Sequence, residues 1–299
     1  MNVFTFAPIG RVVAAMGAIF FLLPIAAPGA GALDTNGIQS AIGFSGKTLP
    51  GGVFRVSIPR GDLHVSINGV PLKTALALGG YAVYEATPEG ALVMGDLPLL
   101  QAEVPAVQRE LLGAGFDITA LHNHLLNDTP HVMYMHYMKT GDAVAISRQL
   151  HQALMHTGVS FVQSAAAATP FPDPARIDAA LGLKGMAHDG IYSVRLPRPE
   201  KIVEHGTLLP AGMGVATSIN FQTAGRDAIA STGDFVLTAD EVQPVARALA
   251  SHGIEVTALH QHLVGADPML YFMHFWAAGP PTAVLPGLRA AVDVLRQKP

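Results

Sequence analysis

Alternating apolar and polar positions in the first part of the chain predict β-strands. Residues 52–59 (GVFRVSIP) alternate clearly, and residues 64–69 and 79–87 are similarly rich in β-forming side chains. A turn is expected around Pro88–Gly90, before a further strand at residues 91–96. The pattern then changes to helical spacing, which predicts a helix within residues 102–115 that ends in glycines.

A histidine-rich pair of strands is expected next, followed by a helix at about Asp142–His156. The order is therefore strands, helix, two strands, helix. This order predicts an α+β lobe, a mainly antiparallel sheet covered by helices.

The whole pattern occurs twice, at a constant offset of 138 residues. Between Ile118–Lys139 and Val256–Ala277, nine of 22 positions are identical without a gap. We therefore predict two tandem-duplicated lobes, residues 35–165 and 175–299, joined by the Ala- and Pro-rich stretch Ser164–Pro174.

The first 32 residues have the layout of a secretory signal peptide. Arg11 precedes an apolar stretch at residues 12–27, and Ala30–Ala32 offers a cleavage site. The alternative is a retained membrane anchor, but the stretch is short for a span of about 20 residues and Pro24 interrupts it. We expect a periplasmic or secreted protein with no stable membrane span after the signal is removed.

Composition excludes several classes of function. The chain has no cysteine, which excludes disulfides, thiolate metal sites and lipid attachment through cysteine. The net charge is −4 and no run of Lys or Arg is present, so we expect no nucleic-acid partner. Half of the residues are hydrophobic, which is typical of a chain that folds around a core.

The histidine-rich strands carry the candidate chemistry. His122 and His124 share strand parity, and a turn centred near Thr129 places His136 opposite His122, with Cβ atoms about 5 Å apart. Three imidazoles would then meet on one face of the sheet. The same reasoning predicts a second trio in the second lobe, made of His260, His262 and His274.

Three neutral histidines without a thiolate are a suitable ligand set for a divalent transition metal with an open coordination position. Zinc is the first candidate, and manganese, iron, nickel and copper are the alternatives. A carboxylate could complete the ligand shell, and the candidates are Asp62, Glu85, Asp96 and Glu103, with Glu200, Asp234 and Glu241 as acidic equivalents in the second lobe. Of these, Glu103 or Asp62 is the predicted fourth ligand or catalytic base. The leading hypothesis is a metal-dependent hydrolase acting on an unknown small molecule. The alternatives are a metal- or ligand-binding protein without turnover, a metal-free histidine site, and a purely structural core.

Two other features repeat at the same offset. The pairs Gly95–Asp96 and Gly233–Asp234 are interpreted as turns or strand ends rather than as catalytic acids. Arg60 and Arg198 each follow a proline. We expect them to tie the lobes together through ion pairs, with binding of an anionic group as the alternative.

The motifs IPRGDLHVSINGVPL, TALHNHLLNDTPHVMYMHYMKTGDA and TALHQHL resemble the LppY/LpqO family of exported proteins, a duplicated domain of unknown function. The resemblance covers nearly the whole chain after the signal peptide. It implies export and duplication, but it brings no activity, cofactor or catalytic residue. Lipid anchoring, which is common in that family, does not carry over because the chain lacks cysteine.

Overall fold

A computed structural model of the chain describes residues 31–162 and 171–296. The predicted signal peptide lies outside the described residues except for its last two positions.

The first lobe is built around one six-stranded antiparallel sheet with the strand order β1-β2-β5-β6-β9-β7. In chain order its elements are α1 (Thr35–Ile42), β1 (Gly46–Thr48), β2 (Phe54–Pro59), β3 (Ser66–Ile67), β4 (Val70–Pro71), α2 (Thr74–Ala77), β5 (Gly79–Thr87), β6 (Gly90–Leu100), α3 (Val104–Gly113), β7 (Asp117–His122), β8 (Asp128–Thr129), β9 (Val132–Gly141) and α4 (Ala143–Leu154).

The second lobe repeats this design, with the strand order β10-β11-β14-β15-β18-β16. Its elements are α5 (Pro174–Leu181), β10 (Gly185–His188), β11 (Ile191–Pro197), β12 (Ile202–Glu204), β13 (Thr207–Leu209), a 3-10 turn (Ala211–Met213), β14 (Ala216–Thr223), β15 (Ile229–Leu237), α6 (Ala239–Ala250), β16 (Glu255–His260), β17 (Ala266–Asp267), β18 (Tyr271–Gly279) and α7 (Pro281–Arg296).

The α+β class and the duplication are confirmed. The helices expected within 102–115 and at about 142–156 are α3 and α4. Helix α6 begins with a capping box made by Thr238 and Glu241, which satisfies backbone N–H groups at the helix start. The strand expected at 64–69 is only the two-residue β3.

Helices cover the outer face of each sheet. In the first lobe, Val107 and Leu111 of α3 and Ile146 and Leu150 of α4 pack on the sheet in one buried cluster. The second lobe has an equivalent cluster under α5, α6 and α7. Each lobe therefore has a hydrophobic core of its own. Each fully buried side chain in such a core stabilises the fold by about 1.5–3 kcal/mol.

The inner faces of the two sheets pack against each other through two apolar clusters. The first interlobe cluster joins residues such as Val83 and Met94 to Val236 and Phe272. The second interlobe cluster contains residues of both lobes, such as Val132, Tyr134, Ile191 and Trp276. The resulting layer order is helices, sheet, sheet, helices.

Hydrogen bonds also cross between the lobes. The Thr257 hydroxyl donates to the His124 carbonyl at 2.5 Å, and the Asn123 side-chain amide donates to the Thr257 carbonyl at 3.1 Å. On another part of the interface, the Lys73 backbone N–H donates to the Gln222 side chain at 2.8 Å.

Arg60 and Arg198 do not join the lobes, contrary to the prediction. Arg60 is buried and binds Asp62 and Glu103 of its own lobe, each at 2.8 Å. Arg198 likewise binds two glutamates of the second lobe. In both lobes the two acidic partners lie two and 43 residues after the arginine. Each arginine therefore ties the end of a strand to the start of a helix.

Within residues 31–162 and 171–296, no helix is both long and apolar enough to cross a lipid bilayer.

Candidate metal centre between the lobes

The first-lobe histidines lie where the edge strand β7 ends beside β9. His122 is the last residue of β7, and His136 lies in the middle of β9. His124 follows β7 and stacks on the Tyr134 ring, with 3.4 Å between ring centroids.

The predicted register between the two histidine-bearing strands, β7 and β9, was wrong by two residues. His136 lies opposite Ala120, and His122 lies opposite Tyr134. The connection is not a tight turn, because β8 leaves it to pair with β3, and β7 also contains a bulge after Ile118. His122 and His136 nevertheless stack, with 5.1 Å between ring centroids.

The second lobe places its histidines in the same way. His260 ends the edge strand β16, and His274 lies in β18. His262 lies 3.6 Å from the ring of Phe272, which is the counterpart of Tyr134.

The two trios form one cluster rather than two separate sites. His122 of the first lobe lies 3.5 Å from its counterpart His260, measured between ring centroids. The other contacts cross between lobes symmetrically, His124 with His274 at 3.8 Å and His136 with His262 at 4.0 Å. A pseudo-twofold axis therefore runs between His122 and His260.

Three groups of histidines have ligand atoms within 4.8 Å of one another in the described part of the chain: His122 with His260 and His274, His122 with His124 and His136, and His136 with His260 and His262. Two of the three groups draw on both lobes. The predicted trio of the second lobe is not one of them, whereas the predicted trio of the first lobe is.

Hydrogen bonds orient two of the rings. The Nδ1 atoms of His122 and His274 lie 2.8 and 2.9 Å from the carbonyl oxygens of Asn123 and Gly233. A proton on Nδ1 donates to the carbonyl and leaves the Nε2 lone pair free. In five of the rings, Nε2 is buried without a hydrogen-bond partner among the described residues: His122, His124, His136, His260 and His274.

Burial keeps these imidazoles neutral. It lowers the pKa of His274 to about 3, and it moves the pKa of His124, His136 and His262 well below the usual value. For the latter three, the neighbouring histidines lower the pKa further, because a second positive charge would repel the first. Neutral imidazole is the form that binds metals.

Two buried carboxylates lie beside the histidines, and both were among the carboxylates that the sequence offered as a further ligand. Asp96 is the cross-strand neighbour of His136, and Asp234 is the neighbour of His274. Asp96 lies 3.8 Å from the Nε2 atoms of both His124 and His136. Two ligands of a tetrahedral ion are about 3.4 Å apart, so this spacing is near that of a shared ion.

Both carboxylates are strongly perturbed. Burial raises the pKa of Asp96 to about 8, against a smaller opposite effect of Arg55. Burial also raises the pKa of Asp234 well above the usual range, and the charge of Asp96 raises it further. One oxygen of each carboxylate is buried without a hydrogen-bond partner within the described ranges.

The glycine–aspartate pairs are therefore not turns or strand ends, because each lies inside a central strand, β6 or β15. The glycine is explained by packing. A Cβ at Gly95 would overlap the Tyr137 hydroxyl and the Tyr81 carbonyl, and one at Gly233 would overlap the Ser218 backbone. Repetition of the pair at the same offset as the histidines was the signal that could have favoured Asp96 and Asp234 over Asp62 and Glu103.

Asp62 and Glu103, the carboxylates predicted as fourth ligand or base, are held elsewhere. Both bind the Arg60 guanidinium, and Glu103 also accepts from the backbone N–H groups of Leu100 and Gly158. The structure therefore ties both carboxylates to Arg60. The carboxylates that it pairs with the histidines across strands are Asp96, opposite His136, and Asp234, opposite His274.

Comparison with solved structures gives only weak similarities. The crystal structure of EtuB from Clostridium kluyveri is 13% identical, covers 84% of this chain and 90% of that chain, and has a TM-score of 0.21. A trimeric bacterial microcompartment shell protein, PduB, is 13% identical, covers 85% and 91%, and has a TM-score of 0.22. Neither similarity supports an argument about this chain.

A search of curated proteins gave no significant match. A family model described as Domain of Unknown Function (DUF1259) matches the chain twice, at residues 36–156 and 175–294. These two regions are the two lobes and together cover more than half of the sequence. The chain therefore belongs to this family, as a tandem duplication of its domain.

Proposed function

We propose that the protein binds a transition metal in a single centre that both lobes build. The observation that carries the proposal is the set of five buried histidine Nε2 atoms that lack a partner among the described residues and meet in one cluster. Groups of three such histidines have ligand atoms close enough to share an ion, to which each imidazole would contribute one lone pair.

The energetics support an ion. A buried polar atom without a partner destabilises a fold by about 1–3 kcal/mol. The cluster holds such atoms on five histidines and two aspartates, while a whole protein is stable by only about 5–15 kcal/mol. A bound cation satisfies the nitrogen lone pairs and the carboxylate oxygens together, and its charge compensates two buried carboxylates.

The donor set favours zinc. Imidazole and carboxylate donors without thiolate suit zinc, with manganese, iron, nickel and copper as further candidates. Six imidazoles and two carboxylates exceed the four ligands of one tetrahedral ion, and the three histidine groups share members. We propose one or two ions per chain, with Asp96 and Asp234 as the carboxylate ligands.

Metal-dependent hydrolysis is the activity that we propose for this centre. His122 and His260 are only half-buried, and we propose that a small molecule would approach the cluster at the edge where β7 and β16 end. A bound metal would supply Lewis acidity and an activated water. The second candidate is metal binding without turnover, and the deep burial of His136, His262 and His274 favours it.

We propose that this activity lies outside the cytoplasm, an expectation supported by the predicted signal peptide and by the resemblance to the LppY/LpqO family. Both rest on the sequence alone. A periplasmic or secreted protein would take up its metal outside the cytoplasm. In this chain it would do so with imidazole and carboxylate ligands, because the chain has no cysteine.

The test is elemental analysis of the full chain, purified without a histidine tag from its native compartment. We expect about one or two equivalents of a transition metal per chain. Absence of metal, with none taken up on dialysis against zinc, would refute the proposal. Hydrolysis of p-nitrophenyl acetate and bis-p-nitrophenyl phosphate by the loaded protein, lost on chelation, would separate the hydrolase from the binding protein.

A further inference from the structure

A row of polar side chains crosses both sheets between the two interlobe clusters. In the first lobe, hydrogen-bonded neighbours place Ser57, Tyr81, Asp96 and His136 side by side on four adjacent strands. On β6, Asp96 lies between Met94, which belongs to the first interlobe cluster, and Leu100, which packs on the second. Paired residues share a face of the sheet, so the row faces the other lobe.

The second lobe has a matching row of Arg195, Ser218, Asp234 and His274. We call the two facing rows the polar seam. One end of the seam is the histidine cluster. The other end lies about 14 Å away, three strand spacings along the sheet, and reaches solvent at Ser57 and Arg195, which are both exposed.

Two arginines, one from each lobe, occupy this far end. Arg55 lies two residues before Ser57 on β2, on the same face, and its guanidinium carbon is 4.0 Å from the centre of the Tyr81 ring. The ring holds the planar guanidinium by a cation–π contact. The Tyr81 hydroxyl lies beside Gly214 of the second lobe, so this end is also formed by both lobes.

The strand register brings one guanidinium from each lobe to the same end of the polar seam. Burial lowers the pKa of the half-buried Arg55, and the charge of Arg195 lowers it further, while Tyr81 and Asp96 act in the opposite direction. Neither arginine forms an ion pair with a carboxylate in the described ranges. This contrasts with Arg60 and Arg198, each of which binds two carboxylates.

We propose that Arg55 and Arg195 bind a dianionic oxyanion, a phosphate group, at the solvent end of the polar seam. Two guanidiniums match the two charges of phosphate, and each offers a planar fork of donors that suits its oxygens. The anion removes the repulsion between the arginines. The site is separate from the metal proposal, because none of its residues is a candidate metal ligand.

The test is titration calorimetry of the full chain with sodium phosphate at low ionic strength, after treatment with a chelator. We expect one phosphate per chain. Arg55→Met and Arg195→Met should each weaken binding at least tenfold, since methionine keeps much of the apolar length and removes the charge. The matched control is Arg148→Met on α4, another exposed arginine, which should change the dissociation constant by less than twofold.

Absence of phosphate binding by the wild-type chain, or equal binding by Arg195→Met, would overturn the proposal. Arg195 is exposed, so its variant keeps the test valid even if Arg55→Met unfolds. Elemental analysis of the same samples separates the two proposals. Phosphate binding that depends on the arginines in a chain that takes up no metal would support this site while refuting the metal centre.

Discussion

Acidification should unfold the metal-free protein, because the cluster must stay uncharged in the folded state. Burial lowers the pKa of His136, His262 and His274 below the usual value of about 6.5. The unfolded chain binds protons at these positions below pH 6.5, whereas the folded protein does not. Their contribution to stability is therefore fully present above pH 6.5 and is lost as the pH falls.

The magnitude follows from counting protons. Each such histidine changes the free energy of unfolding by about 1.4 kcal/mol per pH unit. Asp96 and Asp234 act in the opposite direction, because their raised pKa values keep them protonated in the folded state up to about pH 8 for Asp96. Well below pH 6.5, three histidines minus two aspartates give a net loss in the free energy of unfolding of about 1.4 kcal/mol per pH unit. If all six histidines count, the net loss is about 5.5 kcal/mol per pH unit.

Above pH 6.5 the dependence of the free energy of unfolding on pH changes sign. Asp96 and Asp234 then keep protons in the folded state that the unfolded chain has lost, so the free energy of unfolding should fall again between pH 6.5 and 8. The metal-free protein should be most stable near pH 6.5.

The assay is urea unfolding of chelator-treated protein at several pH values between 4.5 and 8. The double variant His64→Ala/His156→Ala removes two exposed histidines outside the cluster and should keep the wild-type profile. A free energy of unfolding that is constant or rises from pH 6.5 to 4.5 would refute the reasoning.

Three further outcomes are expected from equilibrium unfolding of variants. Arg60→Met should lower the free energy of unfolding by about 3 kcal/mol, because it leaves two carboxylates without their cation; a loss below about 1 kcal/mol would contradict a stabilising ion pair. Gly95→Ala should destabilise by about 3 kcal/mol, since its Cβ would overlap Tyr137, and wild-type stability would contradict this packing. Thr257→Val removes the hydrogen bond to the His124 carbonyl and should lower stability by about 1 kcal/mol; an unchanged midpoint would show that this interlobe bond contributes nothing.

Local patterns predicted the elements well. Apolar spacing located α3 and α4, alternation located β2 and β5, and the repeat located the second lobe. These features depend on residues that are near one another in the chain, so periodicity reveals them.

The shared site could not be predicted in the same way. The histidine trios were recognised, but the contact of His122 with His260 depends on how two sheets pack, and no local pattern encodes that packing. The register also failed, because the β7–β9 connection pairs with β3 from a distant part of the chain. Asp96 was one of four candidate carboxylate ligands but was not preferred, because Gly-Asp pairs are common in turns, whereas here the glycine makes room for Tyr137.

The most direct test of a centre shared by both lobes is the metal content of the double variant His122→Ala/His136→Ala. Every one of the three histidine groups contains His122 or His136, although both residues belong to the first lobe. The variant should lose all of its metal, while the control His64→Ala/His156→Ala keeps the wild-type amount. Retention of half the metal, held by the second lobe alone, would contradict the shared centre.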